Sequence, residues 1–357
     1  MPVNLTIHSN IHDYDVFFED SPDFIQHLAI QPNSCYIVDE NVWTIYQETL
    51  LSVLPKIETI ILPINEDRKN LATVQELYDQ LVERPAKRNM NIISIGGGIL
   101  QDITGFAAST IYRGVNWIFV PTTLLAQADS CIGSKTSLNY HKYKNLIGTF
   151  YPPANIHIFT QFLQSQSDSD FSSGFGEVIK LHLMGGRDLF SNLVELSQSV
   201  INREPRVLHK IVQQSLNVKL SYMSGDEFDT GRRNLLNYGH DFGHALESTS
   251  SFAIPHGQAV IFGMLAANII ARKRGLLSSD LEKTIANKLL IPNWVSKPTI
   301  NALGKNEMID AMKKDKKRTG NNLALIMMND TFEFTRVNDL FPDEAASALA
   351  ELQIMLN

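Results

Sequence analysis

Short runs of strand-type residues alternate with amphipathic stretches along roughly the first 160 residues of the chain. Four runs rich in Ile and Val, each closed by turn residues, have the composition of buried strands: CYIVDE (35–40), TIILPI (59–64), NIISIGGG (91–98) and NWIFVPTT (116–123). Residues 70–88 carry one apolar helical face, formed by Leu71, Val74, Leu77, Tyr78 and Leu81. This alternation of strands and helices predicts a parallel sheet flanked by helices.

The pattern changes beyond about residue 163, where helical periodicity dominates. The helical stretches are RVLHKIVQQSLNVKLSYMS (206–224), QAVIFGMLAANIIARKRG (258–275) and PDEAASALAELQIMLN (342–357). The clear β-type run in this part of the chain is NLALIMM (322–328). The serine-rich segment SQSDSDFSSG (165–174) has the composition of an inter-domain connection. We predict an N-terminal α/β domain at residues 1–163 and a mostly helical C-terminal domain at residues 164–357.

Composition narrows the functional class. The chain has 357 residues, 44% of them hydrophobic, and no apolar run of the roughly 18 residues that a membrane span needs. The first 20 residues lack the pattern of a secretory signal, and two cysteines, Cys35 and Cys131, make a disulfide framework improbable. A net charge of −7 argues against nucleic-acid or membrane binding. We therefore expect a cytoplasmic protein.

Basic residues nevertheless gather beside the motifs described next. Each one taken singly is an ordinary surface residue, but together they indicate a small anionic ligand. The residues are Arg113, Lys135, Lys142, Lys144, Lys180, Lys219, Arg232 and Arg233.

A glycine-rich turn in ISIGGGILQDITGF (93–106) joins a β pattern to a helical one. Glycines at the end of a strand let the backbone approach a ligand closely, and the N-terminus of the next helix attracts phosphate. The turn is not the GxGxxG fingerprint, so a tight corner without a ligand and a nucleotide site are both open interpretations.

The segment 120–153 favours a ligand. It offers adjacent hydroxyls, then a carboxylate, two ammonium groups and an amide: Thr122, Thr123, Asp129, Lys135, Lys144 and Asn145. Such groups bind ribose, amides and phosphate. The alternative is a polar surface loop, but a long loop directly after a buried strand is where ligands commonly bind.

Two histidines, His240 and His244, stand four residues apart in NYGHDFGHALE (237–247), at the start of a predicted helix. Their imidazoles would therefore face the same side. A pair of this kind is more often packed in the protein interior than bound to a metal. A zinc site would also need a third protein ligand. The candidates for that ligand are His256, Glu177 and Asp241.

The zinc-protease motif HExxH is a poor match for this stretch. Asp241 replaces the glutamate that serves as the general base. The extended form of the motif would also need glycine and histidine where the chain has Glu247 and Ser250.

Taken together, these stretches resemble 3-dehydroquinate synthase and its sugar-phosphate cyclase relatives. The resemblance runs from about Asp39 to Gly320. Its motifs are GGGxxxDxxGF, RGVxxxxVPTTLLAQxDSxxGxKTxxN, KNxIGxFYxP, GExxK, RxxLNxGHxFGHAxE and HGxAV. It implies a Rossmann-like N-terminal domain, NAD and Zn²⁺ or Co²⁺ as cofactors, and a homodimer.

The resemblance also assigns site residues. It implies that the metal ligands are Glu177, His240 and His256, with His244 beside the substrate instead. The residues that would face NAD are Asp39, Asn41, Glu66, Lys69, Gly97, Gly98, Asp102, Thr122, Thr123 and Lys144. The residues that would surround the substrate are Asp129, Lys135, Asn145, Lys180, Lys219, Arg233, Asn237 and His244.

Two basic positions have a special place in the resemblance. It implies that Arg113 reaches the substrate phosphate across a dimer interface, and that Lys316 or Lys317 closes over the same phosphate.

The implied activity is cyclisation of 3-deoxy-arabino-heptulosonate 7-phosphate to 3-dehydroquinate and phosphate, a lyase step of the shikimate pathway. Lys219 and Arg233 favour this substrate, because they match the pair that binds its carboxylate. A related cyclase acting on another heptulose or sugar-acid phosphate is the alternative, and a metal-dependent polyol dehydrogenase is a weaker one. The chain departs from the usual motif at four positions: Gln101 stands where glycine is common, Ser134 where glycine normally precedes the lysine, Asp241 in place of threonine and Gln258 in place of glutamate.

Overall fold

The computed structural model describes residues 5–84, 88–141, 143–295, 304–313 and 322–356. The chain divides into two compact units, Met1–Gln166 and Ser167–Asn357. Within the described ranges, no helix is both long enough and apolar enough to cross a membrane.

The first unit is built around one large sheet. Its strands are β1 (Leu5–Ile7), β2 (Tyr14–Phe18), β3 (Ser34–Asp39), β4 (Thr59–Leu62), β5 (Asn91–Gly96), β6 (Asn116–Pro121), β7 (Lys135–Tyr140), β8 (Tyr143–Phe150) and β9 (Asn155–Ile158). Its helices are α1 (Asp23–Ala29), α2 (Glu40–Tyr46), α3 (Leu71–Val82) and α4 (Gly98–Thr110). The sheet has the order β1-β2-β9-β6-β5-β3-β4, and β7 and β8 form a separate hairpin.

The predicted parallel sheet is confirmed. Strands β3 to β6 coincide with the four predicted runs, and each pairs in parallel with its neighbours in the sheet. Helix α3 coincides with the predicted amphipathic helix. The apolar pattern did not indicate β9 or the antiparallel β1–β2 pair at one edge. Strand β2 does alternate buried and partly exposed residues, but over five residues that signal is weak.

The hydrophobic core of this unit is built from alternate residues of the strands, which point to the same face of the sheet. On one face of the sheet, Tyr36 and Val38 of β3 lie in register with Ile93 and Ile95 of β5. These side chains pack with Phe24 of α1 in one buried cluster. On the other face of the sheet, strands β5 and β6 pack against α4. Residues buried on both faces explain why the central strands read as nearly continuous apolar runs.

The second unit is mostly helical, as predicted. Its elements are α5 (Asp168–Met184), α6 (Arg187–Ile201), α7 (Pro205–Met223), α8 (His240–Thr249), α9 (His256–Lys273), α10 (Ser279–Ile285), α11 (Lys305–Lys313), β10 (Leu323–Met328), β11 (Phe334–Leu340) and α12 (Pro342–Leu356). Helices α7, α9 and α12 and strand β10 coincide with predicted segments, whereas β11, the antiparallel partner of β10, was missed.

The prediction that the serine-rich residues 165–174 form an inter-domain connection is wrong for most of that stretch. Ser167 is the N-cap of α5, and its side chain accepts a hydrogen bond from the Asp170 backbone N–H. Residues from Asp168 onward are helical. Serine and aspartate suit both loops and helix N-termini, so the composition of this stretch does not separate the two.

Helix α9 is the centre of the second unit. All of its residues from Gly257 to Ala271 are buried, and it contacts α5, α8, α12 and β10. A helix that is apolar on every side is a core helix.

Glycines bring the backbones of three helices into direct contact. A Cβ atom on Gly257 would lie 1.7 Å from the Ser173 carbonyl oxygen of α5, and one on Gly176 would lie 2.2 Å from the Gly257 oxygen. On the other side of α9, a Cβ atom on Gly263 would lie 1.7 Å from the oxygen of Gly239, the residue before α8. Helices α5 and α8 can therefore approach α9 this closely only where side chains are missing.

We predict that Gly257→Ala strongly destabilises the protein, because a methyl group cannot fit against a backbone carbonyl. Overpacking that side chains can absorb costs about 1–3 kcal/mol, and we expect a loss in the free energy of unfolding of at least about 3 kcal/mol here. Urea denaturation followed by circular dichroism measures this loss.

The control for this measurement is Gly275→Ala. Gly275 has φ +72 and open space around its Cβ position, so alanine there adds only backbone strain of about 1–2 kcal/mol. Equal losses for the two variants would show that α5 and α9 are not in backbone contact.

Candidate active site

Three side chains from three helices of the second unit meet at one point. Glu177 lies within α5, His240 begins α8 and His256 begins α9. The Nε2 atoms of His240 and His256 lie 3.3 and 3.1 Å from the same Glu177 oxygen, Oε1. Ligand atoms of all three residues lie within 4.8 Å of one another. The structure thus brings together the predicted metal ligands, which are far apart along the chain.

The spacing of these atoms fits a zinc ion. Zinc binds imidazole nitrogen and carboxylate oxygen at about 2.0–2.1 Å in a tetrahedral arrangement, so neighbouring ligand atoms lie about 3.3 Å apart. The measured nitrogen–oxygen distances of 3.3 and 3.1 Å match that edge. Three protein ligands also leave a fourth position open, as in catalytic zinc sites.

The carboxylate in this cluster is charged. Glu177 is 1% exposed, and the Nζ atom of Lys180 lies 2.5 Å from its other oxygen, Oε2. Burial alone would favour the neutral acid, but the Lys180 ammonium and the two imidazoles hold the pKa of Glu177 well below its usual range. An ionised carboxylate is the form that binds a cation.

The two imidazoles have opposite protonation tendencies. Burial and the Lys180 ammonium lower the pKa of His240, so its ring is neutral and has a lone pair available for a metal. Burial also acts to lower the pKa of His256, but hydrogen bonds to Glu177 and Glu247 raise it to about 10. The negative charge that favours a proton on His256 equally favours a divalent cation among these ligand atoms.

Glu247 of α8 orients His256. It is 4% exposed, and its Oε2 atom lies 3.3 Å from His256 Nδ1. With Nδ1–H donating to this carboxylate, Nε2 is the nitrogen that faces Glu177. A metal that displaces the Nε2 proton would leave the tautomer that metal binding needs. Glu247 was not among the predicted site residues. The available signal was its position one helical turn after His244 within the histidine motif.

His244 lies beside the predicted metal ligands and is exposed. Its ring centre is 5.3 Å from that of His240, and its ring stacks on His256 at 6.1 Å. His244, Glu247 and His256 form a second group with metal-ligand spacing. We favour the first group as the metal site, because it is the set that the sequence motifs predict and all of its members come from different helices.

The predicted carboxylate-binding residues lie on α7 and on the turn that packs against it. Lys219, on α7, is 8% exposed, and Arg233, in the 3₁₀ turn Arg232–Asn237, is 4% exposed. Asp226 shapes this turn by accepting backbone hydrogen bonds from Thr230, Gly231 and Arg233. Those bonds, the one from Thr230 foremost, lower the pKa of Asp226 to about 2. Asp226 is a second residue that no sequence motif indicated.

Asn237 ends the same turn, three residues before His240 along the chain. Its Nδ2 atom donates to the Asn234 carbonyl at 2.8 Å. The turn therefore holds Arg233 and Asn237 in one rigid segment.

In the first unit, the predicted NAD-facing residues gather along one edge of the sheet. Most of them follow the carboxyl ends of β3, β4, β5 and β6, which are neighbours in the sheet. The chain continues from β3 to β4 on one side and from β5 to β6 on the other. The crevice between β3 and β5 is thus a topological switch point, where open α/β sheets bind their ligands.

Asp39 and the glycine turn form this crevice. Asp39 caps α2 by accepting a hydrogen bond from the Asn41 backbone N–H at 2.8 Å, and burial raises the pKa of its carboxyl. A Cβ atom on Gly96 would lie 3.2 Å from Asp39 Cβ, and one on Gly97 would lie 3.0 Å from Thr123 Cγ2. Close packing around the turn and the N-terminus of α4 suits a phosphate-bearing ligand.

The turn after β4 brings further predicted residues to the same edge. Lys69 is 7% exposed, and its Nζ atom lies 2.5 Å from Asp102 Oδ2 on α4. Burial raises the pKa of Asp102, while the Lys69 ammonium opposes that rise. Glu66 accepts a hydrogen bond from Asn139 Nδ2 at 2.7 Å and lies 3.8 Å from the Lys144 ammonium.

The segment expected to be a long ligand-binding loop has regular structure. A π-helical turn, Ala126–Ser130, carries Asp129, and the β7–β8 hairpin carries Lys135, Lys144 and Asn145. Gln127 anchors the turn, because its Nε2 atom donates to the carbonyls of Pro121 and Phe159. The hairpin was missed because it pairs polar strands with little apolar periodicity.

Arg113 is exposed at the end of a short 3₁₀ turn. Tyr112 and Arg113 have left-handed φ values of 51 and 67, and Gly114 follows at 113. This backbone conformation is uncommon for residues with side chains, so the turn is a strained position. Lys316 and Lys317 lie outside the described residues.

Two of the four unusual positions lie in the first unit, and the structure explains both. Gln101 is buried and holds Ser130, next to Asp129, through two side-chain hydrogen bonds of 2.7 Å. Ser134 has φ 63, a left-handed value that glycine adopts without strain. That conformation accounts for the usual glycine before Lys135.

The other two unusual positions lie in the second unit. Gln258 is fully buried and donates to the carbonyls of Ser172 and Asn293, while its oxygen accepts from the Val295 N–H. It is a packing residue of α9. Asp241 lies in the first turn of α8, where a carboxylate interacts favourably with the helix dipole.

The chain is similar to known proteins along most of its length. Family models described as 3-dehydroquinate synthase N-terminal and 3-dehydroquinate synthase C-terminal match residues 59–173 and 174–318. A 3-dehydroquinate synthase of Campylobacter fetus subsp. fetus (strain 82-40) is 34% identical over 345 residues, which cover 95% of this chain and 96% of that one.

Two solved structures share the fold. A 2-epi-5-epi-valiolone synthase from Streptomyces hygroscopicus subsp. jinggangensis 5008, with NAD⁺ and Zn²⁺ bound, has a TM-score of 0.85 at 23% identity, covering 99% of this chain and 100% of that one. A 2-deoxy-scyllo-inosose synthase complexed with carbaglucose-6-phosphate, NAD⁺ and Co²⁺ has a TM-score of 0.82 at 23% identity, covering 97% of this chain and 99% of that one.

We predict that Glu247→Gln weakens metal binding and that Glu247→Ala weakens it further. Glutamine can still accept the Nδ1–H bond of His256 but has no charge, whereas alanine removes both. Loss of such a partner costs about 10–100-fold in metal affinity. Competition between the purified protein and a chelator for Zn²⁺ measures it.

The matched control is Glu282→Gln. Glu282 is another buried glutamate of the second unit, 3% exposed and 3.8 Å from Arg272. Its substitution should change stability and leave zinc affinity as in the unmodified protein. The orienting role is disproved by an unchanged zinc affinity in both Glu247 variants.

Proposed function

Because the chain belongs to the 3-dehydroquinate synthase family, we propose that it cyclises 3-deoxy-arabino-heptulosonate 7-phosphate to 3-dehydroquinate with release of phosphate. The reaction is a carbon–oxygen lyase step of the shikimate pathway, which leads to aromatic amino acids. The observation that carries this proposal is the convergence of Glu177, His240 and His256 in a chain of this family.

The second unit would hold the metal, Zn²⁺ or Co²⁺, through Glu177, His240 and His256. A bound divalent cation acts as a Lewis acid that makes a coordinated hydroxyl more acidic. Lys180 keeps Glu177 ionised through their 2.5 Å contact, and Glu247 keeps the Nε2 atom of His256 turned toward the site.

The first unit would hold NAD along the carboxyl edge of its sheet. The dinucleotide would supply a reversible hydride acceptor, with which a sugar hydroxyl could be oxidised to a ketone that makes the adjacent C–H proton acidic. Gly97 and Gly98 let the pyrophosphate approach the N-terminus of α4. The hydroxyls of Thr122 and Thr123 and the polar groups of Asp39, Asn41, Glu66, Lys69, Asp102 and Lys144 would bind the rest of the cofactor.

The substrate phosphate would be bound by Lys135, Asn145 and Arg113. Ammonium and guanidinium groups form charge-assisted hydrogen bonds with phosphate oxygens. Fixing the phosphate also directs its elimination, because a departing phosphate oxygen can accept the acidic proton. Asp129 and His244 are the groups suited to moving protons to and from the sugar hydroxyls, with Lys180 and Asn237 binding those hydroxyls.

Lys219 and Arg233 select the substrate within the family. Both of these side chains are less than one-tenth exposed. Ammonium and guanidinium groups form charge-assisted hydrogen bonds with carboxylates, and a carboxylate that leaves water is stable only with such partners, so these two residues suit a carboxylated substrate. A heptulose phosphate without a carboxylate has no group to pair with them.

The direct test is a substrate panel with the purified protein, NAD and Zn²⁺, assayed for both phosphate release and product identity. The proposal requires dehydroquinate from the heptulosonate phosphate and no net NADH. Phosphate release from sedoheptulose 7-phosphate instead would assign the chain to a carboxylate-free cyclase. NADH accumulation with a simple polyol would assign it to a dehydrogenase.

We predict that Arg233→Ala raises KM for the carboxylated substrate by about 10–100-fold, the range for a lost hydrogen bond between charged groups. Inhibition by a carboxylate-free sugar phosphate should be unaffected. Arg232→Ala is the matched control, because Arg232 is exposed and lies 4.8 Å above the Tyr222 ring. Unchanged KM in Arg233→Ala would place the carboxylate elsewhere.

We also propose a homodimer in which each subunit's Arg113 serves the phosphate of the partner's site. We predict that co-expressed Arg113→Ala and His256→Ala chains, each inactive alone, regain about a quarter of the unmodified activity, because half of the dimers are mixed and each has one complete site. Purification through two different tags isolates the mixed dimer. If Arg113 acts within its own subunit, the mixed dimer stays inactive.

A further inference from the structure

Four polar side chains of the first unit form a connected network where β7, β8 and α4 meet. Lys69 Nζ lies 2.5 Å from Asp102 Oδ2 and 2.7 Å from Asn145 Oδ1. Ser137 completes the network: its Oγ atom lies 3.0 Å from Asp102 Oδ2 and 2.9 Å from Asn145 Oδ1, and its backbone N–H donates to Asp102 Oδ1 at 2.9 Å. We call these four residues the polar quartet.

The quartet determines which way the Asn145 amide faces. An ammonium group has donors and no acceptor, so the atom of Asn145 that contacts Lys69 must be the oxygen. The Ser137 hydroxyl can add a second donor to the same oxygen. The NH₂ group is therefore directed away from Lys69, and among the described residues no protein acceptor is bonded to it. A free NH₂ donor held in one direction suits an anionic ligand.

The backbone of Asn145 is held as well. Asn145 has φ 51, a left-handed conformation that asparagine tolerates better than most residues. Its N–H donates to Asn139 Oδ1 at 3.0 Å, and Asn139 in turn donates to Glu66 and, through its backbone N–H, to Lys69. Both the main chain and the side chain of Asn145 are thus fixed by the turn that carries Glu66 and Lys69.

Ser137 is the member of the quartet without an assigned role. It occupies an unspecified position of the KTxxN motif, two residues after Lys135. Its single hydroxyl proton can be donated to Asp102 or to Asn145, so it connects the two. The proposed function, on which this inference rests, places Lys69 and Asp102 against NAD and Asn145 against the substrate phosphate. Ser137 then lies at the junction of the two binding sites.

We propose that Ser137 is a positioning residue that, together with the Lys69–Asp102 pair, holds the Asn145 amide with its NH₂ group toward the substrate phosphate and so couples dinucleotide binding to phosphate binding. A dinucleotide that restricts Lys69 and Asp102 also restricts Asn145, so phosphate binds more tightly when NAD is present. Coupling of this kind is reciprocal, and NAD must bind more tightly in the presence of phosphate by the same factor.

The test measures inorganic phosphate binding to the full-length zinc-loaded protein by isothermal titration calorimetry, with and without NAD. In Ser137→Ala we expect phosphate affinity to fall about five- to tenfold, as for one lost hydrogen bond, and the enhancement by NAD to shrink. Ser137→Thr keeps the hydroxyl and should restore most of both effects.

A double-mutant cycle separates positioning from a general structural role. In Asn145→Ala the amide is gone, so adding Ser137→Ala should cause no further loss of phosphate affinity. The matched control is Ser109→Ala, which removes a hydroxyl that contacts the same hairpin at Thr149 and touches none of the quartet. It should bind phosphate and NAD as the unmodified protein does.

Three results would overturn the inference: unchanged phosphate affinity and NAD enhancement in Ser137→Ala, additive losses in the double variant, or no phosphate binding by the unmodified protein. None of these readouts requires turnover. A chain that shows the coupling but does not convert the heptulosonate phosphate would refute the proposed function alone, and a chain that turns over without the coupling would refute this inference alone.

Discussion

The predicted metal site depends on backbone contact between helices that carry glycine at their crossing points. Gly176 and Gly257 let α5 and α9 touch, and Gly239 and Gly263 do the same for α8 and α9. Each predicted metal ligand is the chain neighbour of one of these glycines: Glu177, His240 and His256. Because the ligand atoms must meet to within a few tenths of an ångström, a packing contact with no adjustable side chain is well suited to hold them.

The electrostatics of the site follow from that packing. Three close helices exclude water around Glu177, and a buried carboxylate is stable only with cations beside it. Lys180 supplies one fixed positive charge at 2.5 Å, and the imidazoles complete the cluster. Glu247 adds a second carboxylate behind His256, so the cluster retains a demand for positive charge that a divalent metal would meet.

The first unit uses a different device to gather its functional groups. In a parallel sheet, the carboxyl ends of neighbouring strands lie at one edge, and the loops that follow them are brought together without long-range packing of side chains. The β7–β8 hairpin then joins this edge through the polar quartet. Lys69 is the residue common to both, because it contacts Asp102 of α4 and Asn145 of the hairpin.

Apolar periodicity and ordered motifs are local properties of the chain, and they were sufficient to predict strands β3 to β6, helices α3, α7, α9 and α12 and the candidate chemical groups. They did not indicate the short edge strands, the polar hairpin or the helical start at Asp168, where local signals are weak or shared with loops. That Glu247 faces His256 and that Ser137 meets Asn145 is visible in the folded structure alone. Those contacts join residues on different elements, whose distances depend on how helices and strands pack and not on their spacing along the chain.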